Sequence, residues 1–353
     1  MPVDLQRDYY TSAQVAQKLG LTPQHVARLC RQGKWKALKF GREYAIPRQL
    51  VEPRPWREHN PDELARHFRD KLRLYIDRQE LKLRILGILA NGDEASKVYA
   101  QFLVDACADV GIQLDLQVLA PADVKRTVLK ANADENIQGI FVFYPIYKDA
   151  RDAELKALLA PEKDIEGLSP FWMRRLYGNV RWLDAAKTKK AILPCTPLAV
   201  LKTLEYAGLP PDVPRPPFKG RKVAVFNRSE LTGKPLAHML MNDGAEVFSF
   251  DVDGGRRLKR GQKSRAITRA EALAQADMIV TGVPSRAFEK IRGEEIRAGA
   301  ICLNFSFVQN FEDSAKMKAG VYVPRVGPMT IAMCLRNMVR LYENYRERYE
   351  GKN

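Results

Sequence analysis

Gly233 and Asp251 are the first residues here whose types and spacing suggest chemistry. They lie eighteen positions apart in "KVAVFNRSELTGKPLAHMLMNDGAEVFSFDV", Lys222 to Val252. That stretch reads as strand, turn, helix, strand. A dinucleotide site needs a tight turn, close backbone approach to the pyrophosphate, and an acid about twenty residues on for the ribose. Asp251, closing the strand "EVFSF", supplies the acid. Its carboxylate would bond a ribose hydroxyl and repel a 2′-phosphate, which favours NAD over NADP. Arg256 and Arg257 weigh the other way, since a loop folding back would bring them to a phosphate. The turn "NRSELTG" lacks the G-x-G-x-x-G glycines, and Asn227 stands in for one because Asn tolerates a left-handed backbone.

Other reactive side chains are individually weak signals. Asp164 and Glu166 in "PEKDIEGLSP" read by themselves as caps of the following segment. Tyr99 reads as a helix-face aromatic, Cys195 as a small buried thiol, and His238 as a helix-surface residue. The five cysteines and four histidines are scattered, with no C-x-x-C pair, so no metal site is expected. The odd thiol count, with no secretory leader or bilayer-length apolar run, points to a reducing cytoplasm.

The elements that must position these groups fall into successive blocks. At 353 residues the chain has room for two or three domains. The net charge of +16 is concentrated: residues 1–58 hold eleven Lys/Arg against five Asp/Glu, and residues 254–270 hold seven against none. An isolated basic run is usually solvated surface, but the first run coincides with a patterned module. Thr11 or Ser12 can cap one short helix ended by Gly20. Thr22-Pro23 opens a second, with Val26 and Leu29 inward, ended by Gly33. "KALKFGREYAIP" reads as a hairpin turning at Gly41. Residues 53–60, rich in proline and charge, read as a linker, and Asn60 or Asp62 starts a new helix. Beyond it, the apolar strand Ile85–Leu89, a helix near Asp123–Ala133, the strand in "IQGIFVFYPIY" and a helix from Pro197 alternate as in a parallel α/β layer.

The N-terminal module resembles the winged helix-turn-helix of the excisionase and MerR-like group. That resemblance implies Gln24, His25 and Arg28 facing a major groove, with Lys34, Lys36, Lys39 and Arg42 on phosphates. The rest carries six ordered motifs: "GDEASKVYAQFLVDACADVGI", "EKDIEGLSP", "ILPCTPLAVLKTLE", "NRSELTGKPLAHMLMNDGAEV", "ADMIVTGVP" and "VGPMTIAMCLRNM". Together they resemble the methylenetetrahydrofolate dehydrogenases, closest to the monofunctional NAD-dependent branch. The implied architecture is α/β: a folate-binding domain over 61–197 completed by a C-terminal helix in 328–353, and a Rossmann-type cofactor domain over 198–327. A winged helix-turn-helix over 1–52 precedes them.

The same resemblance implies the site. Tyr99 would stack on the folate, while Asp164 and Glu166 would serve the pterin and the cation that develops on it. Phe143, Tyr144, Pro145, Pro324, Val326 and Gly327 would complete the substrate surface. Thr196, Asn227, Arg228, Ser229, Gly233, Asp251, Gly282, Val283, Pro284, Asn304 and Thr330 would meet NAD. Bifunctional relatives hydrolyse the methenyl product with a lysine four residues after the tyrosine, hydrogen-bonded to a glutamine. Leu103 and Phe143 occupy those two places, so dehydrogenation is expected and cyclohydrolase activity is not. The alternative is a DNA-binding regulator whose dehydrogenase body senses folate or NAD. A homodimer is expected, with duplex DNA as a partner of residues 1–52 and no membrane partner.

Overall fold

The computed structural model describes residues 9–19, 21–32, 37–40, 43–47, 57–58, 60–209 and 216–350. The expected helix stops Gly20 and Gly33, the turn at Gly41, and Lys34, Lys36 and Arg42 lie outside them, as do residues 48–56 and 59. The chain divides into two compact units. One comprises Asn60–Leu201, Asn227–Met239 and Val326–Asn353; the other comprises Met1–His59, Lys202–Phe226 and Leu240–Arg325.

The N-terminal block is β1 (Tyr9–Thr11), α1 (Ser12–Leu19), α2 (Pro23–Arg31), β2 (Leu38–Phe40) and β3 (Glu43–Pro47). Thr11 begins α1 by reciprocal capping: its hydroxyl accepts the Gln14 amide at 3.3 Å, and the Gln14 side chain accepts the Thr11 amide at 2.9 Å. Thr22 caps α2 through the His25 amide, ahead of Pro23, as the sequence predicts. β1 adds a third strand that the residue pattern did not suggest, in the order β1-β3-β2. Tyr10, Val15, Val26, Leu29 and Ile46 form the core beneath.

Arg57–Glu58, inside the segment read as a linker, form β4, parallel to the strand at Val321–Val323. Proline and charge obscured this strand, because an open sheet edge pairs with backbone, whatever the side chains.

In the unit that begins at Asn60, that asparagine caps α3 (Pro61–Arg78). There follow β5 (Arg84–Leu89), α4 (Glu94–Asp109), β6 (Gln113–Val118), α5 (Pro121–Ala133), β7 (Gly139–Val142), α6 (Arg151–Leu158) and α7 (Pro170–Tyr177). The strands are parallel in the order β6-β5-β7. From Ile85 onward β5 is apolar because it serves two cores. Ile85 and Leu89 join the cluster on one face, Leu86 and Ile88 that on the other.

α8 (Cys195–Gly208) starts two residues before the predicted Pro197 and spans the division between the units, which falls after Leu201 rather than at 197. The other unit continues with β8 (Lys222–Phe226); α9 (Gly233–Asn242) follows in the chain and is divided between the units after Met239; then come β9 (Glu246–Asp251), β10 (Gly254–Leu258), β11 (Arg265–Ile267), α10 (Arg269–Gln275), β12 (Met278–Thr281), β13 (Ile301–Asn304), α11 (Asp313–Lys318) and β14 (Val321–Val323). The sheet order is β11-β10-β9-β8-β12-β13-β14-β4. Strands from β9 to β4 are parallel, β10 runs antiparallel to β9, and β11 pairs antiparallel with β10. The chain leaves β8 to one side and returns to β12 on the other, the switch point at which open α/β sheets bind ligands.

α12 (Gly327–Asn344) and α13 (Arg346–Glu350) close the chain. Ile331, Leu335, Met338, Val339 and Tyr342 of α12 enter the core shared with α3, α4 and β5, as their spacing predicts.

Candidate active site

In the unit built on β5, the chemistry gathers beside β7. Asp164 bridges to Ile140, so residues 164–166 run alongside that strand. The Val142 amide donates to Glu166 Oε2 at 3.2 Å. Glu166 is half-buried. Burial first, and then the neighbouring Asp164, push its pKa up to about 8, against the pull of the Val142 amide and Lys156.

Asp164 has no exposed surface. Its carboxylate accepts the Gly167 amide at 3.0 Å and the Ser169 amide at 2.7 Å. Burial raises its pKa and these backbone bonds oppose the rise. These bonds hold the Asp164 carboxylate within its own loop. It shapes the loop that presents Glu166.

Tyr99, half-buried on α4, packs edge-to-face on Phe143 at 6.1 Å and tilted against Phe141 at 6.3 Å. Burial raises its phenol pKa, so the hydroxyl stays neutral. Leu103, one helical turn on, is fully buried in the same cluster as Phe143. Asn91 Nδ2 brackets the next two residues by donating to the carbonyls of Phe143 (3.0 Å) and Pro145 (3.1 Å). The Tyr144 hydroxyl is buried without a hydrogen-bond partner among the described residues, and burial raises its pKa.

Three contributors carried too little sequence signal to be expected. Lys156 Nζ lies 5.1 Å from the Tyr144 ring centroid, its pKa lowered by burial. Asn91 carries no motif signal. Asn337 is wholly buried on α12 and donates to the carbonyls of Ile165 (3.0 Å) and Leu193 (2.8 Å), fastening the Glu166 loop. An asparagine inside the apolar run "IAMCLRNMV" was the available signal. Cys195 is the buried thiol expected, donating to the Ile165 carbonyl at 3.2 Å. His238 is half-buried edge-on to Tyr177 at 4.6 Å, not a plain surface residue.

The predicted cofactor and closing-turn residues are distributed over both units. Asn227 is absent from the residues with positive φ, so left-handed tolerance is not its use. Instead its side-chain oxygen accepts the Ser229 amide (3.0 Å) and hydroxyl (2.6 Å), an Asx turn. Ser229 Oγ then accepts the Thr232 and Gly233 amides at the start of α9. A Cβ on Gly233 would sit 2.0 Å from the Asn227 carbonyl oxygen, so this close turn demands glycine. Arg228 is half-buried beside it, and Thr196 is half-buried in the first turn of α8. Gly327 opens α12, and the Val326 carbonyl accepts both the Thr330 amide (2.9 Å) and hydroxyl (3.3 Å). Thr330 is buried, and its hydroxyl donates within the first turn of the helix.

On the eight-stranded sheet, Asp251 is exposed at the carboxyl end of β9, and among the described residues its side chain accepts only the adjacent Val252 amide, at 2.9 Å. Arg256 pairs with Asp253 at 3.0 Å and Arg257 with Glu246, so neither folds back to a phosphate. Gly282 is required by the Phe305 ring, which an added Cβ would meet at 1.8 Å. Val283 is held at both its amide and carbonyl by the buried Asn310, and Pro284 is exposed. Asn304 is fully buried and braces its surroundings, bonding Thr281, the Ser306 carbonyl and the Pro324 carbonyl.

On α2, Gln24 and Arg28 are exposed, but His25 is half-buried with Nδ1 held 3.1 Å from the Arg28 guanidinium. Among the described residues no cluster of three or more His, Cys, Asp or Glu could hold a metal, and no helix is long and apolar enough to cross a membrane.

A doubly wound nucleotide sheet, with a second α/β unit presenting a half-buried carboxylate among aromatics, defines a two-domain dehydrogenase-type architecture. Residues 60–166 match the family described as tetrahydrofolate dehydrogenase/cyclohydrolase, catalytic domain, and residues 194–346 its NAD(P)-binding domain. The chain belongs to this family. It is 40% identical over 278 residues to the methylenetetrahydrofolate dehydrogenase (NAD(+)) of Saccharomyces cerevisiae, across 74% of this chain and 86% of that one. The enzyme of that name from Schizosaccharomyces pombe is 37% identical over 291 residues, covering 79% and 90%. Among solved structures, the NAD-dependent 5,10-methylenetetrahydrofolate dehydrogenase from Saccharomyces cerevisiae superposes with a TM-score of 0.77 at 35% identity, covering 83% of this chain and 99% of that chain.

Proposed function

We infer that this chain is an NAD-dependent methylenetetrahydrofolate dehydrogenase without cyclohydrolase activity. The observation that carries the reading is the hydrocarbon packing of Leu103 with Phe143 beside Tyr99, in a chain resembling NAD-dependent enzymes over most of its length. Leucine and phenylalanine can neither shuttle a proton nor activate water.

Oxidation of the methylene carbon needs no such base. The ring nitrogens' lone pairs expel a hydride as the methenyl cation forms, and NAD, when bound, accepts that hydride. Ionised Glu166 stabilises the cation, and Tyr99 stacks on the folate with Phe143, Tyr144 and Pro145 alongside. Pro324, Val326 and Gly327 line the closing turn. The Asx turn of Asn227 and Ser229, with Arg228 and Gly233, supports the pyrophosphate. Asp251 takes the ribose, while Thr196 and Gly282–Pro284 border the cofactor. Steady-state assay of 5,10-methylenetetrahydrofolate with each nicotinamide cofactor tests this. Turnover with NAD and no formyl product is expected; equal or better use of NADP would sink the cofactor assignment.

The N-terminal block is read as a winged helix-turn-helix that contacts duplex DNA through exposed Gln24 and Arg28 of α2. Its support is the capped helix pair, the hairpin and the positive charge. Loss of sequence-selective duplex binding in Arg28→Ala is the expected result, and unchanged selectivity would refute it. A cytoplasmic homodimer completes the reading. All five cysteines are free. The open edge of β6, with Val118 at its end and Val98 and Phe102 on α4, exposes apolar surface that a second copy would cover.

A further inference from the structure

The nucleotide sheet has a positive rim that its cofactor does not explain. β9 ends at Asp251 on the carboxyl edge, the chain reverses, and β10 runs back with Leu258 beside Val247. The turn 259–264, which leads from β10 into β11, therefore lies at the opposite edge, beside the amino ends of the parallel strands. Lys219 and Arg221 reach that same edge, because β8 and β9 start in register, Lys222 beside Glu246.

Lys259, Arg260, Lys263 and Arg265 are all exposed. Among the described residues none of the four has an ion-pair partner, whereas Arg256, Arg257 and Arg269 are paired with Asp253, Glu246 and Glu295. Residues 254–270 contain no acid that could neutralise them. Arg265 stands directly opposite Arg257 across the β10–β11 pair. With Arg257 held by Glu246, Arg265 is the cation of this cross-strand pair left for an outside anion.

Two simpler explanations fall short. Charged residues on an edge strand block edge-to-edge association, but only Arg265 lies on β11, and the other three occupy a turn that offers no ladder. Nucleotide phosphates bind outside the carboxyl ends of such strands, and this rim is at the other end.

We propose that the 259–265 rim binds the phosphate backbone of a duplex nucleic acid without reading its sequence. Each cation that meets a phosphate releases a condensed counterion, so unpaired Lys and Arg strung along a protruding ribbon suit a regular ladder of charge. Single strands are gripped by stacking on aromatic rings, and residues 254–270 contain none. A membrane surface is held partly by apolar insertion, and "KRGQKSR" offers no large apolar side chain.

The test compares the full-length protein with its K259A/R260A/K263A/R265A variant, titrating a fluorescent mixed-sequence duplex across a range of KCl. The slope of log affinity against log salt should become shallower by about 3.6, near 0.9 for each of the four phosphates no longer neutralised. Duplexes of different sequence should change alike, and NAD-dependent turnover should stay at the parent level, showing that the fold is kept. An unchanged slope would overturn the proposal and assign any duplex binding to the N-terminal block. Absence of duplex binding by the parent at low salt would also overturn it, as would equal or tighter binding of poly-L-glutamate or phosphatidylserine vesicles.

Discussion

Glu166 and Asp251 are both carboxylates in a proposed active site, and the protein treats them oppositely. Glu166 is half-buried beside a second acid, and its pKa rises to about 8. Asp251 stands in water at a strand end, where its side chain accepts its neighbour's amide. The first is a tuned electrostatic group whose strength comes from exclusion of solvent. The second recognises by position alone. The unit around Glu166 gathers a tuned carboxylate among aromatic rings, whereas the eight-stranded sheet spends polar side chains on bracing its own loops, as Asn304 and Asn310 do.

This contrast is sharpest under mutation of Glu166. Glu166→Gln should lower kcat/KM about 10²–10³-fold, the size expected when a charge aimed at the transition state is removed. The parent's kcat/KM should rise with pH through about 8 as the free enzyme's carboxylate ionises, and the variant's profile should be flat there. A parent profile flat over that range would put the working group elsewhere.

Stability should carry the same signature. A carboxyl whose folded pKa lies above its unfolded value contributes stability below the unfolded pKa and loses it as pH rises through the folded one. Melting of parent and Glu166→Gln should therefore diverge between pH about 4.5 and about 8 in the variant's favour. The scale is about 1.4 kcal/mol for each unit between the two pKa values. Leu103→Lys puts an ammonium group into the fully buried cluster and should cost about 3 kcal/mol in chemical denaturation. Near-neutral stability would show that the site tolerates a lysine after all.

For the exposed carboxylate the effect should be smaller and selective. Asp251→Ser should weaken NAD about 10-fold, the worth of one hydrogen bond to a charged group, while use of NADP improves relative to NAD. Equal loss with both cofactors would contradict a ribose contact. Smallest of all, Thr268→Ala removes the capping box of α10, in which Thr268 and Glu271 bond each other's amides. It should lower stability by about 1 kcal/mol without changing kinetics.

Features governed by local backbone geometry were legible. The Asn60 and Thr22 caps, the doubly apolar β5, the α12 stripe and the strand-turn-helix around Gly233 follow from spacing and residue type, because their causes lie within a few residues. What surrounds a side chain was not legible. Asp164, Asn304 and Thr330 have the right chemistry for ligands, yet each is enclosed and bonded to its own backbone surroundings.

The sequence by itself determined the α/β alternation, the glycine-dependent turn, the acid that closes β9 and the missing lysine at Leu103. Tertiary structure alone decided which carboxylate is tuned and which is braced. It also decided that Lys156 lies over Tyr144, that Asn337 on the last long helix fastens the Glu166 loop, and that the basic run lies opposite Asp251. The physical reason is that burial and electrostatic coupling depend on distances between residues far apart in the chain, and local pattern carries no measure of those.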